Sequence, residues 1–462
     1  MQRLMTPKYS VFSIMGAKVG TMKLLVSVLM LLIALALVPF AWDWRSPFLA
    51  EIRPWALRGL IALPLSLIIA QIWLLITSRP EQRALRTIGS LGLLAATLAL
   101  TATLALEARF HWIRHQVLHA DPIRLDKLGR HLIVGYRDLA EVRELVRLRA
   151  IAGVFLSSSN VRGKSTADIT KQIRSLQRIR QEQGLTPLWI ATDQEGGVVS
   201  RLSPPLTRLP PLSEIVERYQ DAVQREQAVR QFGASQGREL AELGVNLNFA
   251  PVVDLNHQVV NPNDRYTRIF QRAISRDPAV VAQVAAWYCA ALEDGGVRCT
   301  LKHFPGLGRV FEDTHVAHAN LATSVTELTN TDWVPFRAMM RESAAFVMLG
   351  HVRLSAIDSE RPVSMSLPVI AGLLRGDWKH DGVLITDNFS MLAVYRSSAG
   401  MDNGSIEALN AGVDLILISW DADQYYRVMY ALLKADQQGR LNREVLQRSD
   451  QRLELATQSI RH

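Results

Sequence analysis

Along the chain, the rhythm of hydrophobic and polar positions changes near residue 110. Before that point, residues 24–42, 59–77 and 87–106 carry no charged side chain. Each stretch is about 19–20 residues long, the length of an α-helix that crosses a hydrocarbon core. A cleaved signal peptide accounts for the first stretch alone and not for two more close behind it. A soluble helix of that length shows a polar face, and these have none. The pattern predicts three transmembrane helices in a segment covering residues 1–110.

From residue 111 on, short apolar runs alternate with amphipathic segments. The runs at 131–136, 153–157, 187–192, 245–253, 297–301, 345–350, 382–386 and 413–419 read as strands. Helical segments follow them, among them about 167–183, 222–243 and 278–293. Eight strands in βα alternation over 111–462 predict an α/β fold, a TIM-type (β/α)8 barrel. A doubly wound open sheet is the alternative. It announces its nucleotide site by a Gly-rich turn after the first strand, and HLIVGYRD (131–138) contains no such turn.

Charge sharpens the division. Residues 1–110 hold 11 Lys/Arg against 4 Asp/Glu, whereas the remainder holds 41 against 39. The basic balance therefore belongs to the membrane segment, and a nucleic-acid partner finds no support in the rest. Arg3, Lys8, Lys18, Lys23, Arg79, Arg83 and Arg86 flank the apolar stretches on one side, against Arg45, Arg53 and Arg58 on the other. By the positive-inside rule the amino-terminal tail is cytoplasmic, and three spans leave the barrel on the far side, the periplasm in a bacterium with two membranes. Trp42, Trp44, Trp55 and Trp112 sit near the span ends, as interfacial anchors do. The two cysteines, Cys289 on a helical segment and Cys299 on the next strand, lack metal-ligand spacing and read as buried free thiols.

Candidate chemistry lies where the apolar runs stop. The third run ends in Asp193-Gln194-Glu195-Gly196-Gly197, the fourth in Pro251 and Asp254, and the fifth in Lys302-His303. The sixth ends in His351 and the seventh in Asp387-Asn388. A single acid there can be a helix cap, but caps use Ser, Thr or Asn as readily. Five consecutive strands ending in Asp, His or Lys predict a polar ring around the barrel mouth, suited to a polyhydroxyl ligand and oxocarbenium-like chemistry. The loop after Lys302-His303 delivers Asp313 and His315. In an extended segment residues two apart face one side, and a carboxylate beside an imidazole orients the ring and fixes its tautomer.

DQEGG (193–197) with Arg201, GVNLNFAPVVD (244–254), KHFPG-x-G (302–308), Asp313-Thr314-His315, GHV (350–352) and TDNFSM (386–391) resemble the amino-terminal barrel of glycoside hydrolase family 3, in its β-N-acetylhexosaminidase branch. The motifs run in the family's order from about 190 to 391, and the strand pattern extends the likeness to about 125–440; the membrane segment lies outside it. The resemblance implies Asp387 as nucleophile and His315, oriented by Asp313, as acid/base. It implies substrate contacts from Asp193, Arg201, Lys302, His303 and His351. For the family's arginine, RAISRDP (272–278) fits the spacing, so Arg272 is the better match, with Ile274 where Phe is usual and Arg268 as the alternative. Many two-domain members take their acid from a domain after the barrel; here the expectation is that the barrel's own loop supplies it. No metal or organic cofactor is implied. Two departures, Asn388 for a second acid and Leu307 for a polar loop residue, imply a change of substrate or rate.

The expectation is a membrane-anchored, retaining exo-β-N-acetylglucosaminidase acting on peptidoglycan-derived or other GlcNAc-containing glycans from the periplasmic face of the inner membrane. A family 3 β-glucosidase, a phosphorylase, and a silent glycan-binding module of an envelope complex stay as alternatives.

Overall fold

The computed structural model describes residues 11–458, with side chains from residue 21. Arg3 and Lys8, and the side chain of Lys18, fall outside that description. The chain divides into two compact units, Met1–Ile113 and Arg114–His462.

Among the described residues of the first unit, three helices are long and apolar enough to cross a membrane. They are α1 (Val11–Trp42), α2 (Arg53–Ile76) and α3 (Arg83–Leu118). Small residues let them pack: Ala34, Ala95, Ala96 and Ala99 are buried between them, while Leu25, Ile69 and Leu94 point outward. A buried polar contact between α1 and α2 joins Ser27 to Gln71 at 3.3 Å. Helix α3 does not stop at residue 106. EARFHWIRHQVL contains neither Pro nor Gly, so the helix continues to Leu118, before the new start that Asp121 caps.

The second unit is a parallel barrel. Its strands are β1 (Leu132–Gly135), β2 (Gly153–Leu156), β3 (Trp189–Thr192), β4 (Leu247–Asn248), β5 (Thr300–Phe304), β6 (Phe346–Leu349), β7 (Leu384–Asn388) and β8 (Leu415–Ile418). The sheet runs β4-β3-β2-β1-β8-β7-β6-β5. Parallel bridges Leu247↔Arg298 and Val252↔Lys302 bring its two edges together. All eight apolar runs fold as strands. The fourth is shorter than its run because Pro251 has no N–H for the ladder. Side-chain caps start the intervening helices: Asp277 accepts from Ala279 and Val280 N–H, and Asp221 accepts from Gln224 N–H.

The barrel interior is filled from its lower half. Trp189 packs edge-on against Phe346 at 5.0 Å, and Phe155 stacks on Phe249 at 5.9 Å. Ile133, Met348, Ile385 and Leu417 fill the space around them, all almost fully buried. Below this plug, Asp414 accepts from Arg375, Arg452, Ser449 and the Leu384 N–H, which pegs β7 and two helices to the start of β8.

The cysteines correct the free-thiol expectation. Cys289 and Cys299 form a disulfide, with Cα atoms 5.5 Å apart. The turn at Gly295–Gly296 folds the helix Pro278–Asp294 back onto the start of β5, which brings two positions ten residues apart into bonding range. Phe346→Ala would leave a large void in the plug. It is expected to cost about 3–5 kcal/mol of stability, read as a lower unfolding midpoint of the detergent-solubilised chain.

Candidate active site

Polar side chains gather at the carboxyl ends of the strands, the barrel edge where loops converge. Lys302, on β5, places its Nζ 2.6 Å from Asp193 Oδ1 and 2.6 Å from Glu195 Oε1, both on the stretch that leaves β3. Arg272, in the loop after β4, donates to both oxygens of Glu195 at 2.9 and 2.7 Å and to the Thr267 carbonyl at 2.6 Å. His303 shares Asp254 through Nδ1 at 2.7 Å and through its backbone N–H at 3.1 Å. Its Nε2 lies 3.4 Å from an Arg272 nitrogen, which can only donate, so Nδ1 carries the His303 proton.

Lys302 and His303 are neighbours in a strand, yet both join this network. The register of β5 against β6 shifts between Leu301 and Phe304, and the Lys302–His303 peptide is cis. A shift of this kind re-aims side chains out of strict alternation. Burial works against a charged Glu195, but Arg272 and Lys302 outweigh it and hold the carboxyl down at about 2. Burial likewise works against the Arg272 cation, and Glu195 overcomes it and raises its pKa.

Asp313 and His315 sit in a turn, since the Asp313 carbonyl accepts from the Val316 and Ala317 N–H groups. This corrects the extended geometry expected of them. One carboxylate oxygen makes the pairing: Asp313 Oδ1 takes both the His315 N–H and the ring Nδ1 at 3.0 Å. The same carboxylate accepts from the Thr267 hydroxyl at 2.8 Å and from the Arg265 and Tyr266 N–H groups. Burial opposes its charge, but the hydrogen bonds from His315 and Thr267 hold Asp313 well below the usual carboxylate range. His315 Nε2 has no partner among the described residues, and the ring is about a quarter exposed. The His315 carbonyl accepts from the Leu392 N–H at 3.0 Å, which fastens the turn to the segment leaving β7.

Asp387 lies near the end of β7, partly exposed, where the register against β8 also shifts, between Ile385 and Asn388. Desolvation raises its pKa, but His303, His351, His315 and the Asn388 N–H together bring it below the ordinary range. A carboxylate in that state is ionised and available as a nucleophile.

The other expected residues fall into place unequally. His351 is buried and spends both ring nitrogens inside the protein, on the Ser364 hydroxyl at 2.7 Å and the Asn388 carbonyl at 3.1 Å. It has no nitrogen left for a ligand and braces the strand end that carries Asp387. Burial also pushes its imidazolium down. Arg201 stands apart. Only its N–H meets the cluster, on the Asp193 carbonyl, while its side chain lines a cavity of about 300 Å³ with Ser158, Arg162, Lys164 and Ser203. Of the two arginine candidates, Arg272 reaches the network and Arg268 does not; the Arg268 N–H donates to Asp264.

Asn388 Oδ1 accepts from Ser390 N–H and Ser419 N–H, tying β7 to the exit of β8. Leu307 is buried with its N–H on Asp254, so this position is packed inside the loop and not at a polar tip. The sequence places Glu195 and Asp254 in the strand-end polar ring without individual roles, and it does not single out Thr267 or Tyr266. Glu195 could have been found from its i, i+2 spacing to Asp193. Thr267 and Tyr266 lie more than 40 residues from Asp313, and no local pattern announces them.

An unfolded glutamate protonates near 4.5 and folded Glu195 near 2, so its ion pairs stabilise the fold above about pH 4.5 and are lost as pH falls toward 2. Glu195→Gln is expected to be less stable at pH 7, with a flatter loss between pH 4.5 and 2. Unfolding midpoints across that range check it.

The model of the family described as glycosyl hydrolase family 3 N terminal domain matches residues 124–455. β-Hexosaminidase LpqI of Mycobacterium tuberculosis is 32% identical over 298 residues, covering 63% of this chain and 72% of that protein. A β-hexosaminidase of Xanthomonas oryzae pv. oryzae is 35% identical over 289 residues, 62% of this chain and 81% of that one. Among solved structures, a glycoside hydrolase family 3 β-N-acetylglucosaminidase from Paenibacillus sp. aligns with a TM-score of 0.66 and 31% identity. The alignment covers 73% of this chain, which spans 62% of the Paenibacillus chain's length.

Proposed function

The chain belongs to glycosyl hydrolase family 3, and from that premise we propose that it is a membrane-anchored β-N-acetylhexosaminidase that removes GlcNAc with retention, using Asp387 as nucleophile and His315 as acid/base. The observation that carries the reading is a histidine whose Nδ1 is held by Asp313, whose Nε2 is open and whose carbonyl is fastened to the segment leaving the strand end that bears Asp387. The β-hexosaminidase names of the Mycobacterium and Xanthomonas relatives support the activity.

In the first step the Asp387 carboxylate attacks the anomeric carbon while His315 Nε2 gives its proton to the departing glycosidic oxygen. The bond from carbon to the leaving oxygen breaks as the glycosyl ester forms. In the second, the now neutral His315 takes a proton from water, the oxygen attacks the same carbon, and Asp387 leaves as carboxylate. The Asp313 anion stabilises the positive ring at each end of this cycle. Two inversions give net retention. Asp193, Lys302, His303 and Arg272 form a charged wall of donors and acceptors suited to sugar hydroxyls and an acetamido group.

Three apolar helices support anchoring, and the arginine and lysine distribution supports an extracytoplasmic barrel. The Cys289–Cys299 disulfide fits an oxidising compartment. Peptidoglycan-derived glycans are the substrates such a location offers.

With an aryl β-N-acetylglucosaminide, Asp387→Ala is expected to lower kcat by at least about 10⁴-fold. His315→Ala is expected to lower it about 10²–10⁴-fold, with less loss as the leaving group improves. Full turnover by either variant would remove the assigned roles. Proton NMR of fresh product should show the β anomer first, and turnover that requires inorganic phosphate would assign phosphorolysis instead. A carboxyl-terminal alkaline phosphatase fusion should be active and a green fluorescent protein fusion dark; the reverse pattern would place the barrel in the cytoplasm.

A further inference from the structure

Charge is placed unevenly over the barrel unit. Residues 122–183 hold 13 Lys/Arg against 6 Asp/Glu, while the rest of 111–462 holds 28 against 33. One stretch is therefore strongly basic on a domain that is otherwise acidic. None of its basic residues takes part in the chemistry proposed above.

The excess surfaces on two neighbouring helices, Leu139–Arg147 and Thr166–Glu182, which meet where Arg143 donates to the Ser175 hydroxyl at 3.1 Å. On the second helix Lys171, Arg174 and Arg178 follow the i, i+3, i+7 spacing of one face, and all three are exposed. Arg147 and Arg149, where the first helix ends, are exposed as well. A solvated helix face ordinarily alternates such cations with acids three or four residues away. Here Lys171, Arg174, Arg178 and Arg149 have no ion-pair partner among the described residues. The nearby acids are few: Glu144 pairs with Arg147 at 3.5 Å, and Asp168 takes the N–H and hydroxyl of Ser165 at the helix start. Glu182 is exposed at the helix end. Beneath the face, burial and the cations Arg149 and Arg130 lower the pKa of the Arg180 guanidinium against the pull of Asp126. A wall of like charges gains most from an extended anionic surface, which meets all of them at once.

The way the chain reaches this wall names the surface. Arg114, the residue that opens the barrel unit, pairs with Glu141 of the Leu139–Arg147 helix at 3.3 Å and stands over the Tyr426 ring at 5.5 Å. Arg114 is also part of α3, the last of the three apolar helices. The tether therefore joins the barrel on its basic wall. A tether raises the effective concentration of whatever it is anchored in, and anionic headgroups attract Lys and Arg within a Debye length of the surface.

We propose that the wall carrying Arg147, Arg149, Lys171, Arg174 and Arg178 docks the barrel on anionic phospholipid headgroups. The proposal rests on the anchoring part of the reading above and not on its catalytic part. It adds an electrostatic, salt-sensitive attachment to the hydrophobic one.

The test uses the full chain in lipid nanodiscs with one chain per disc. Both native cysteines are joined in the disulfide, so an introduced cysteine alone takes a donor dye, and a headgroup-labelled lipid is the acceptor. Gln181→Cys labels the basic wall. Ala371→Cys labels an exposed position on the helix Pro368–Asp377 that follows β6, four strands around the barrel from β2. At low salt, replacing about 30 mol% of neutral phosphatidylcholine by phosphatidylglycerol should raise transfer from Gln181→Cys by at least half, and not raise it from Ala371→Cys. The rise should vanish at about 500 mM salt. It should vanish equally in Lys171→Ala/Arg174→Ala/Arg178→Ala, whose unfolding midpoint in detergent should match wild type. No rise at Gln181→Cys, an equal rise at both positions, or a rise that survives the triple substitution overturns the docking. Transfer between two chains labelled at Gln181→Cys, in neutral discs that hold two copies, would make the wall an interface between copies and overturn it too. A chain that does not enter the discs overturns the anchoring reading and the docking with it, before any dye is added.

Discussion

The carboxylate of Asp313 is the point on which the mouth of the barrel is assembled. It accepts from the Arg265, Tyr266 and His315 N–H groups, the Thr267 hydroxyl and the His315 ring. Those donors come from two loops that leave different strands, so one anion joins the exit of β4 to the exit of β5. Burying it costs free energy unless its lone pairs are filled, and here charge-assisted hydrogen bonds fill them. The consequence is local order where a loop would otherwise be loose. An imidazole in a turn acquires one tautomer and one orientation without a strand beneath it.

The neighbouring network solves a different problem by the same means. Lys302 and Arg272 are buried cations, and each would be strongly unfavourable alone. Glu195 takes a bond from both, Asp193 takes the rest of Lys302, and Asp254 holds His303. The charges are satisfied by one another, which leaves the wall rigid and polar. Irregularities in β5 and β7 make this possible. Both strands lose register at the residues that carry Lys302, His303 and Asp387, so these side chains escape the alternation of a regular strand. Asn388 then re-ties β7 to β8 beyond the irregularity.

What the sequence made legible follows from range. The eight strands, the three apolar helices and the strand-end ring of acids and bases rest on patterns a few residues long, and hydrophobic periodicity encodes them directly. Four features depended on contacts between distant segments and stayed hidden. The turn at Asp313 replaces an extended pair because two N–H groups three and four residues on compete for its carbonyl. His351 reads as a ligand-facing imidazole until Ser364 and Asn388 occupy both nitrogens. Thr267 reads as a loop residue until Asp313 arrives from 46 positions away. The disulfide needed the helix to fold back onto β5, and spacing alone does not say whether two thiols will meet.

The division of labour along the barrel axis explains how so charged a mouth can be carried at all. A cluster of paired ions contributes little net stability compared with apolar packing, so cohesion has to come from elsewhere. The lower half supplies it: Trp189 and Phe346 wedge across the interior, Asp414 pegs β7 and β8 to the outer helices, and Cys289–Cys299 fastens a helix to the head of β5. Trp189, Cys299 and Phe346 sit at the starts of strands whose far ends bear polar site residues, and Asp414 holds the start of another through the Leu384 N–H: β3 ends beside Asp193, β5 at Lys302-His303, β6 at His351, β7 at Asp387. A strand fixed at its base is a short lever with little freedom at its tip. The polar residues can therefore be chosen for chemistry and not for packing, and the loop that carries His315 can be long because its anchor is an ion and not a core.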